Sequence, residues 1–226
     1  EESYYVSLSY NLDSKDKNFY YSYSSPTQPV TIYSQELENS DTKNLWQKEI
    51  NNFDADKYKT SRQFIAARDG VKVPVTITHH NDIDLKSSPI LFYGYGSYGL
   101  TTESYFRSSI IPLLDRGFVH VLVNIRGGGE MGKYWYEQGR MFNKLNTFYD
   151  FNDAVKSVLN MGIGSKEKVF AQGGSAGGLL MGAIINFEPE LYTGILSGVP
   201  FVDVLTTMSD ASIPLTTFEW DEWGNP

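Results

Sequence analysis

The chain has 226 residues, a net charge of −8, three His and no Cys. The missing Cys excludes disulfides, a thiolate nucleophile and Cys-ligated metal, and the acidic balance argues against nucleic acid, whose phosphates need a basic face. Hydrophobic residues make up 41%, enough for a sizeable core, and no apolar run is long enough to cross a membrane.

Residues 1–50 read as short strands separated by turns. Tyr4 to Tyr10 alternates, as does Asn18 to Tyr23; Ser25-Pro26-Thr27-Gln28-Pro29 gives a turn and Val30 to Ser34 a further strand. This pattern suggests antiparallel sheet, such as one propeller blade, which cannot bury both of its faces alone. Asn39 to Asp56 is polar and reads as a linker with a short helix around Trp46.

From Arg62 the pattern changes. Gln63 to Ala67, a turn at Asp69-Gly70 and Val71 to Thr78 predict a hairpin, with Pro74 suiting an edge strand. Ile90 to Tyr93 predicts a buried strand running into Gly94-Tyr95-Gly96-Ser97-Tyr98-Gly99. A helix around Ile110 to Leu114 leads to the apolar Phe118 to Asn124, which fits a central parallel strand. The spacing of Phe151, Ala154, Val155, Val158 and Leu159 predicts a helix over 148–161. Lys168 to Gln172 and Thr193 to Gly198 predict two more strands, with a helix from Leu179 to Ile185 between them that Pro189 stops. An edge hairpin followed by alternating strand and helix predicts an α/β sheet of the α/β-hydrolase type.

The sequence Gly173-Gly174-Ser175-Ala176-Gly177 falls between a strand and a helix, the context a nucleophile elbow requires. A serine can attack only if it projects from a sharp turn. Gly173 and Gly177 remove the clash such a turn creates, and Gly174 and Gly178 loosen it further. The helix begins just after Ser175, so its free N–H groups face any negative charge formed there. A phosphate-binding helix start or a plain tight turn is the alternative, which the flanking strand and helix make the weaker reading.

An acyl-transfer serine needs an oxyanion hole. One donor is the N–H of the next residue, Ala176, and the other comes from the loop after the third strand, 94–99. Tyr95 could donate through its phenol, although among 16 Tyr ordinary aromatic packing is an equal reading. The serine also needs a His oriented by an acid, in the order Ser, acid, His on this fold. No His follows Ser175. His79 and His80 end the hairpin and His120 lies in a core strand as a buried structural residue, so the sequence carries a nucleophile without its base. Glu219-Trp220-Asp221-Glu222-Trp223 reads by composition as an acidic surface loop pinned by its Trp rings, or else as a pocket for a basic side chain. Arg126-Gly127-Gly128-Gly129-Glu130 lacks the Lys and Ser/Thr of a phosphate loop and reads as a strand-end turn.

Taken together, Tyr93 to Gly99, Leu114 to Phe118, Arg126 to Glu130, Gly173 to Gly182, Val199 to Val204 and Glu222 to Pro226 resemble the prolyl oligopeptidase family of serine peptidases. The resemblance covers residues 60–226, with a weaker match of 1–50 to the family's last propeller blade. It implies residues 1–55 as terminal blade and linker and 56–226 as the N-terminal part of an incomplete α/β-hydrolase catalytic domain. It further implies Ser175 as nucleophile, Tyr95 and the Ala176 N–H as oxyanion donors, and no cofactor or metal. Short peptides cut after Arg or Lys are the implied substrates. Glu219 and Asp221 match acidic positions of the basic-residue pocket. Glu103 matches one of two acids of the next subsite, where Tyr105 replaces the second. The family's catalytic Asp and His lie beyond the last residue and most of its propeller before the first, so the chain reads as a fragment, inactive alone. No nucleic-acid or membrane partner is expected, and a cytoplasmic location is. An acylaminoacyl peptidase, an esterase, or a non-catalytic interaction module are the alternatives.

Overall fold

The computed structural model describes residues 2–226. Strands β1 (Tyr5–Leu8), β2 (Asn18–Ser25), β3 (Gln28–Glu36) and β4 (Thr42–Gln47) form a four-stranded antiparallel sheet in sequential order. The abundance of Tyr has a local cause here. Tyr21 stands directly opposite Tyr33, with ring centroids 5.4 Å apart, and Tyr4 stacks on Tyr23 at 5.6 Å; such cross-strand aromatic pairs are what hold a sheet face together.

β4 corrects one expectation. Trp46 sits in a strand paired with Ile32, not in a short helix within a linker. Every residue of β4 is exposed. An edge strand wet on both faces needs no apolar alternation, and its stability comes from backbone bonds to β3, to which composition is blind.

The second sheet has six strands in the order β10-β9-β7-β8-β6-β5. They are β5 (Tyr58–Ala66), β6 (Lys72–His80), β7 (Ile90–Tyr93), β8 (Val119–Val123), β9 (Val169–Gly174) and β10 (Gly194–Gly198). β5 and β6 are the antiparallel hairpin, and β8, β7, β9 and β10 run parallel. Pro74 is therefore not on an edge strand: β6 lies between β5 and β8. Its carbonyl accepts the Asn124 N–H at 3.0 Å. The reciprocal bond, which a Pro nitrogen cannot give, falls past the end of β8, so the ladder loses nothing.

Helix α1 (Ile111–Leu114) contacts β6 and β8, and α2 (Lys133–Glu137) is a short turn within the next loop. α3 (Leu145–Asn160) packs on β5 and β6 and against α4 (Ala176–Phe187), which covers β9 and β10. Phe92, Phe151, Val155, Leu180, Met181 and Ile184 are fully buried where these helices meet the sheet. α5 (Val204–Met208) and α6 (Thr216–Trp223) follow β10. The acidic run is thus a helix, not a loop. No helix among the described residues is long and apolar enough to cross a membrane.

The residues just before β1 bond to β5 and β6, and β2 bonds to the loop before α1. Ser3 Oγ lies 3.0 Å from Thr76 Oγ1, the Phe106 N–H donates to Ser24 Oγ at 2.9 Å, and the Arg62 N–H donates to the Glu2 carboxylate at 2.8 Å.

Candidate active site

β7 and β9 are neighbours in register, with Tyr93 opposite Gln172. Residues leaving the two strands at that level must come together, and they are Gly94-Tyr95 and Gly173-Gly174-Ser175. Ser175 is exposed and sits at φ 57° and ψ −118°, a conformation that costs a non-glycine residue about 1–3 kcal/mol and persists only where the surroundings enforce it. Here they do. The Ser175 N–H donates to the Gly198 carbonyl at 2.9 Å, and its own carbonyl accepts the N–H groups of Gly178 and Phe201 at 2.8 and 3.0 Å.

A Cβ on Gly173 would stand 2.3 Å from the Gly177 carbonyl oxygen, and one on Gly178 2.5 Å from the Pro200 Cα. Gly178 is therefore as tightly required as Gly173, more than the sequence suggested. Gly174 is not, since its Cβ would meet only the Gly198 oxygen at 3.5 Å. Gly178→Ala is expected to destabilise the chain by about 1–3 kcal/mol, the usual cost of overpacking, and Gly174→Ala by clearly less. Urea unfolding of the two variants side by side checks this, and equal losses would contradict it.

The Tyr95 ring packs against the elbow, 3.5 Å from where a Cβ on Gly177 would stand, and its phenol is near enough to the Ser175 side chain for the two to interact. Burial raises its pKa, the Ser175 contact opposes that, and the nearby carboxylates of Glu222 and Glu219 add to it. The phenol thus stays protonated and able to donate at neutral pH. Ala176 is the first residue of α4, so its N–H has no intrahelical acceptor. The structure places Tyr95, Ser175 and Ala176 in one group.

The loop that carries Tyr95 rests on the triple glycine. A Cβ on Gly127, at φ 95°, would lie 2.2 Å from the Gly96 oxygen, and the Gly99 N–H donates to the Gly127 carbonyl at 3.0 Å. Arg126 anchors this support from below. Its guanidinium is buried and donates to both Asp150 carboxylate oxygens at 2.8 and 2.6 Å and to Asp69 at 2.7 Å. The strand-end turn expected from the sequence is the floor of the site.

Glu219 reaches the same loop from α6. Its carboxylate accepts the Tyr98 hydroxyl at 2.7 Å and the Trp223 indole N–H at 3.0 Å, and the Tyr98 and Tyr95 rings are 6.3 Å apart. Burial and the Glu219 hydrogen bond push the Tyr98 phenol pKa well up, so Tyr98 remains a neutral donor. Glu219 and Asp221 are not brought together. Residues two apart on a helix point to nearly opposite sides, and Asp221 is exposed, with only its carbonyl engaged, by Arg140 at 2.5 Å. Glu222 shares the inward face instead.

Sequence reasoning missed Glu222 and Lys144. Glu222 is 2% exposed, and the Lys144 ammonium lies 3.7 Å from its carboxylate. Burial lowers the Lys144 pKa to about 8, with Glu222 opposing the fall. The usable signal was the i, i+3 spacing of Glu219 and Glu222, invisible once the segment was taken as a loop.

Glu103 lies elsewhere, in a cleft between the two sheets shared with Ser3, Arg62, Asn124 and Glu130. Burial raises its carboxyl pKa and Arg62 opposes this. Tyr105 packs edge-on to Tyr5, with the Arg107 guanidinium 4.9 Å from its ring centre. His120 pairs with Leu91 and Thr78 at the start of β8, the end of the parallel strands away from Ser175. Burial pulls its pKa down to about 4, so it is neutral. His79 and His80 pair with Lys59 and Tyr58 at the same end.

Residues 104–226 match the prolyl oligopeptidase family. Over its whole length the chain is similar to a dipeptidyl aminopeptidase BI of Pseudoxanthomonas mexicana, at 47% identity, covering 32% of that protein. It also superposes over its whole length on oligopeptidase B of Leishmania major (42% identity, TM-score 0.93) and of Trypanosoma brucei with covalently bound antipain (40%, 0.93), covering 32% of each. The chain thus spans about a third of the length of these relatives. The family match takes in the Ser175 elbow, the Gly127 support and the Glu219 helix as one continuous segment, and on that ground the chain belongs to the prolyl oligopeptidase family.

Proposed function

We propose that this chain supplies the nucleophile, the oxyanion hole and the specificity pocket of a serine peptidase that cuts short peptides after Arg or Lys. The observation that carries the proposal is an exposed serine, held at φ 57° on a strand-to-helix elbow beside a half-buried, protonated phenol. Ser175 Oγ attacks the scissile carbonyl, forming an acyl-enzyme and releasing the amine. Tyr95 and the Ala176 N–H donate to the oxygen as it becomes negative. The charge balance supports a basic substrate side chain: Lys144 offsets Glu222, which leaves the Glu219 carboxylate, held only by neutral donors, to pair with a cation.

In the same reading the six-stranded sheet is the first part of an α/β-hydrolase domain, and the four-stranded sheet a terminal propeller blade. The general base and its orienting acid come from the parts of the whole protein outside this chain, since each of the three His lies at the far end of the sheet from Ser175. Glu103, in its separate cleft, serves the neighbouring subsite.

The test uses the whole protein with a fluorophosphonate probe and matched Arg, Lys and neutral peptides, with products identified by mass. Labelling lost in Ser175→Ala and turnover confined to Arg and Lys peptides are expected. Faster turnover of small acyl esters would support an esterase instead, release of N-terminal dipeptides an aminopeptidase, and no labelling a non-catalytic role. The 226-residue chain by itself is expected to hydrolyse Arg peptides no faster than its Ser175→Ala variant, because a serine without a base is a poor nucleophile near neutral pH. Turnover by the isolated chain would contradict that.

A further inference from the structure

Lys144 stands one residue before α3, and its ammonium makes contacts that local packing does not call for. It donates to the Gly96 carbonyl at 2.7 Å and to Ser97 Oγ at 2.6 Å. It lies 3.7 Å from the Glu222 carboxylate and 5.0 Å from the centre of the Trp223 ring. Both Glu222 carboxylate oxygens are buried without a hydrogen-bond partner among the described residues. Gly96 directly follows Tyr95, and Trp223 holds Glu219 through its indole N–H. One buried cation therefore touches the loop that carries the oxyanion phenol and the helix that carries the pocket carboxylate.

A buried ion pair is a weak way to gain stability, since apolar residues of similar size usually serve as well. A lysine has a use here that a methionine would not: its donors hold the Gly96 carbonyl and the Ser97 hydroxyl while its charge faces the Glu222 carboxylate 3.7 Å away.

Resting on the reading of Tyr95 as an oxyanion donor, we propose that Lys144 is a positioning residue, which clamps the Gly96–Ser97 backbone to the Glu219 helix through Glu222 and so fixes the Tyr95 phenol relative to Ser175. Lys144 touches no reacting atom. Its effect is on where the phenol stands when the oxyanion forms, so it acts on kcat and not on binding of the ground state.

The experiment is a double-mutant cycle in the whole protein between Lys144→Met, which keeps the stem and removes the donors, and Tyr95→Phe. Lys144→Met is expected to lower kcat by about 10–100-fold with KM changed less than about twofold, a loss that follows from misplacing one oxyanion donor. The double variant is expected to be no more than about threefold slower than Tyr95→Phe alone, since a phenol that is absent cannot be misplaced. Ser97→Ala, which removes one Lys144 acceptor and leaves the ion pair intact, should show the same pattern at smaller size and decides the matter if Lys144→Met does not fold. Additive losses with Tyr95→Phe, a loss mainly in KM, or no loss would overturn the proposal while the Tyr95 reading stands. An unchanged kcat in Tyr95→Phe alone would remove that reading and this proposal with it.

Discussion

Glu219→Gln is expected to lower kcat/KM for Arg peptides by about 30–1,000-fold, while Asp221→Asn changes it by less than about fivefold. The first figure corresponds to roughly 2–4 kcal/mol, the cost of removing one partner from a hydrogen-bonded charge pair at a site partly closed to water. The substrate guanidinium would then face two neutral donors, Tyr98 and Trp223, which now hold Glu219. Gln keeps the shape and leaves the charge out. Asp221 is exposed on the other side of α6, where a carboxylate contributes no more than about 1 kcal/mol to a cation it does not touch. Rates on paired Arg and neutral peptides in the whole protein check this. The neutral peptide should be cut at an unchanged rate in both variants. Equal losses for the two substrates would move Glu219 from specificity to structure. A large, Arg-selective loss in Asp221→Asn would show that α6 turns or unwinds when substrate binds.

Tyr95→Phe is expected to reduce kcat by about 10²–10³, with little change in KM, as loss of one oxyanion donor does. Phe keeps the ring, so the packing against Gly177 and the neighbouring Tyr98 survives. Only the hydroxyl beside Ser175 is removed. The substrate carbonyl is a poor acceptor before attack and a strong one after, so the loss belongs in kcat. A change of a few-fold would return Tyr95 to aromatic packing, the reading that its sequence context left equally open.

Much of this was legible in the chain itself. The elbow declared itself because strand, Gly-x-Ser-x-Gly and helix lie within twenty consecutive residues, and each demand on backbone geometry is local. The alternation of strand and helix from Arg62 onward likewise fixed a mixed sheet with a hairpin at one edge, because hydrophobic period is a property of neighbours in sequence. Absence of Cys and the lack of a His after Ser175 were fixed by composition and order alone.

What the sequence could not carry depends on surfaces meeting at a distance. β4 has no apolar pattern because it is exposed on both faces, so only its pairing with β3 makes it a strand. Whether the acidic run was loop or helix decided which carboxylates share a side, and the helix sets Glu219 and Glu222 inward and Asp221 outward. Lys144 and Glu222 are 78 positions apart in the chain and meet at 3.7 Å. Nothing in the local composition of either marks it as buried, because a charged residue is buried only where a distant partner offsets its lost hydration. Local geometry placed the serine, and the packing of α6 against the Tyr95 loop decided what stands around it.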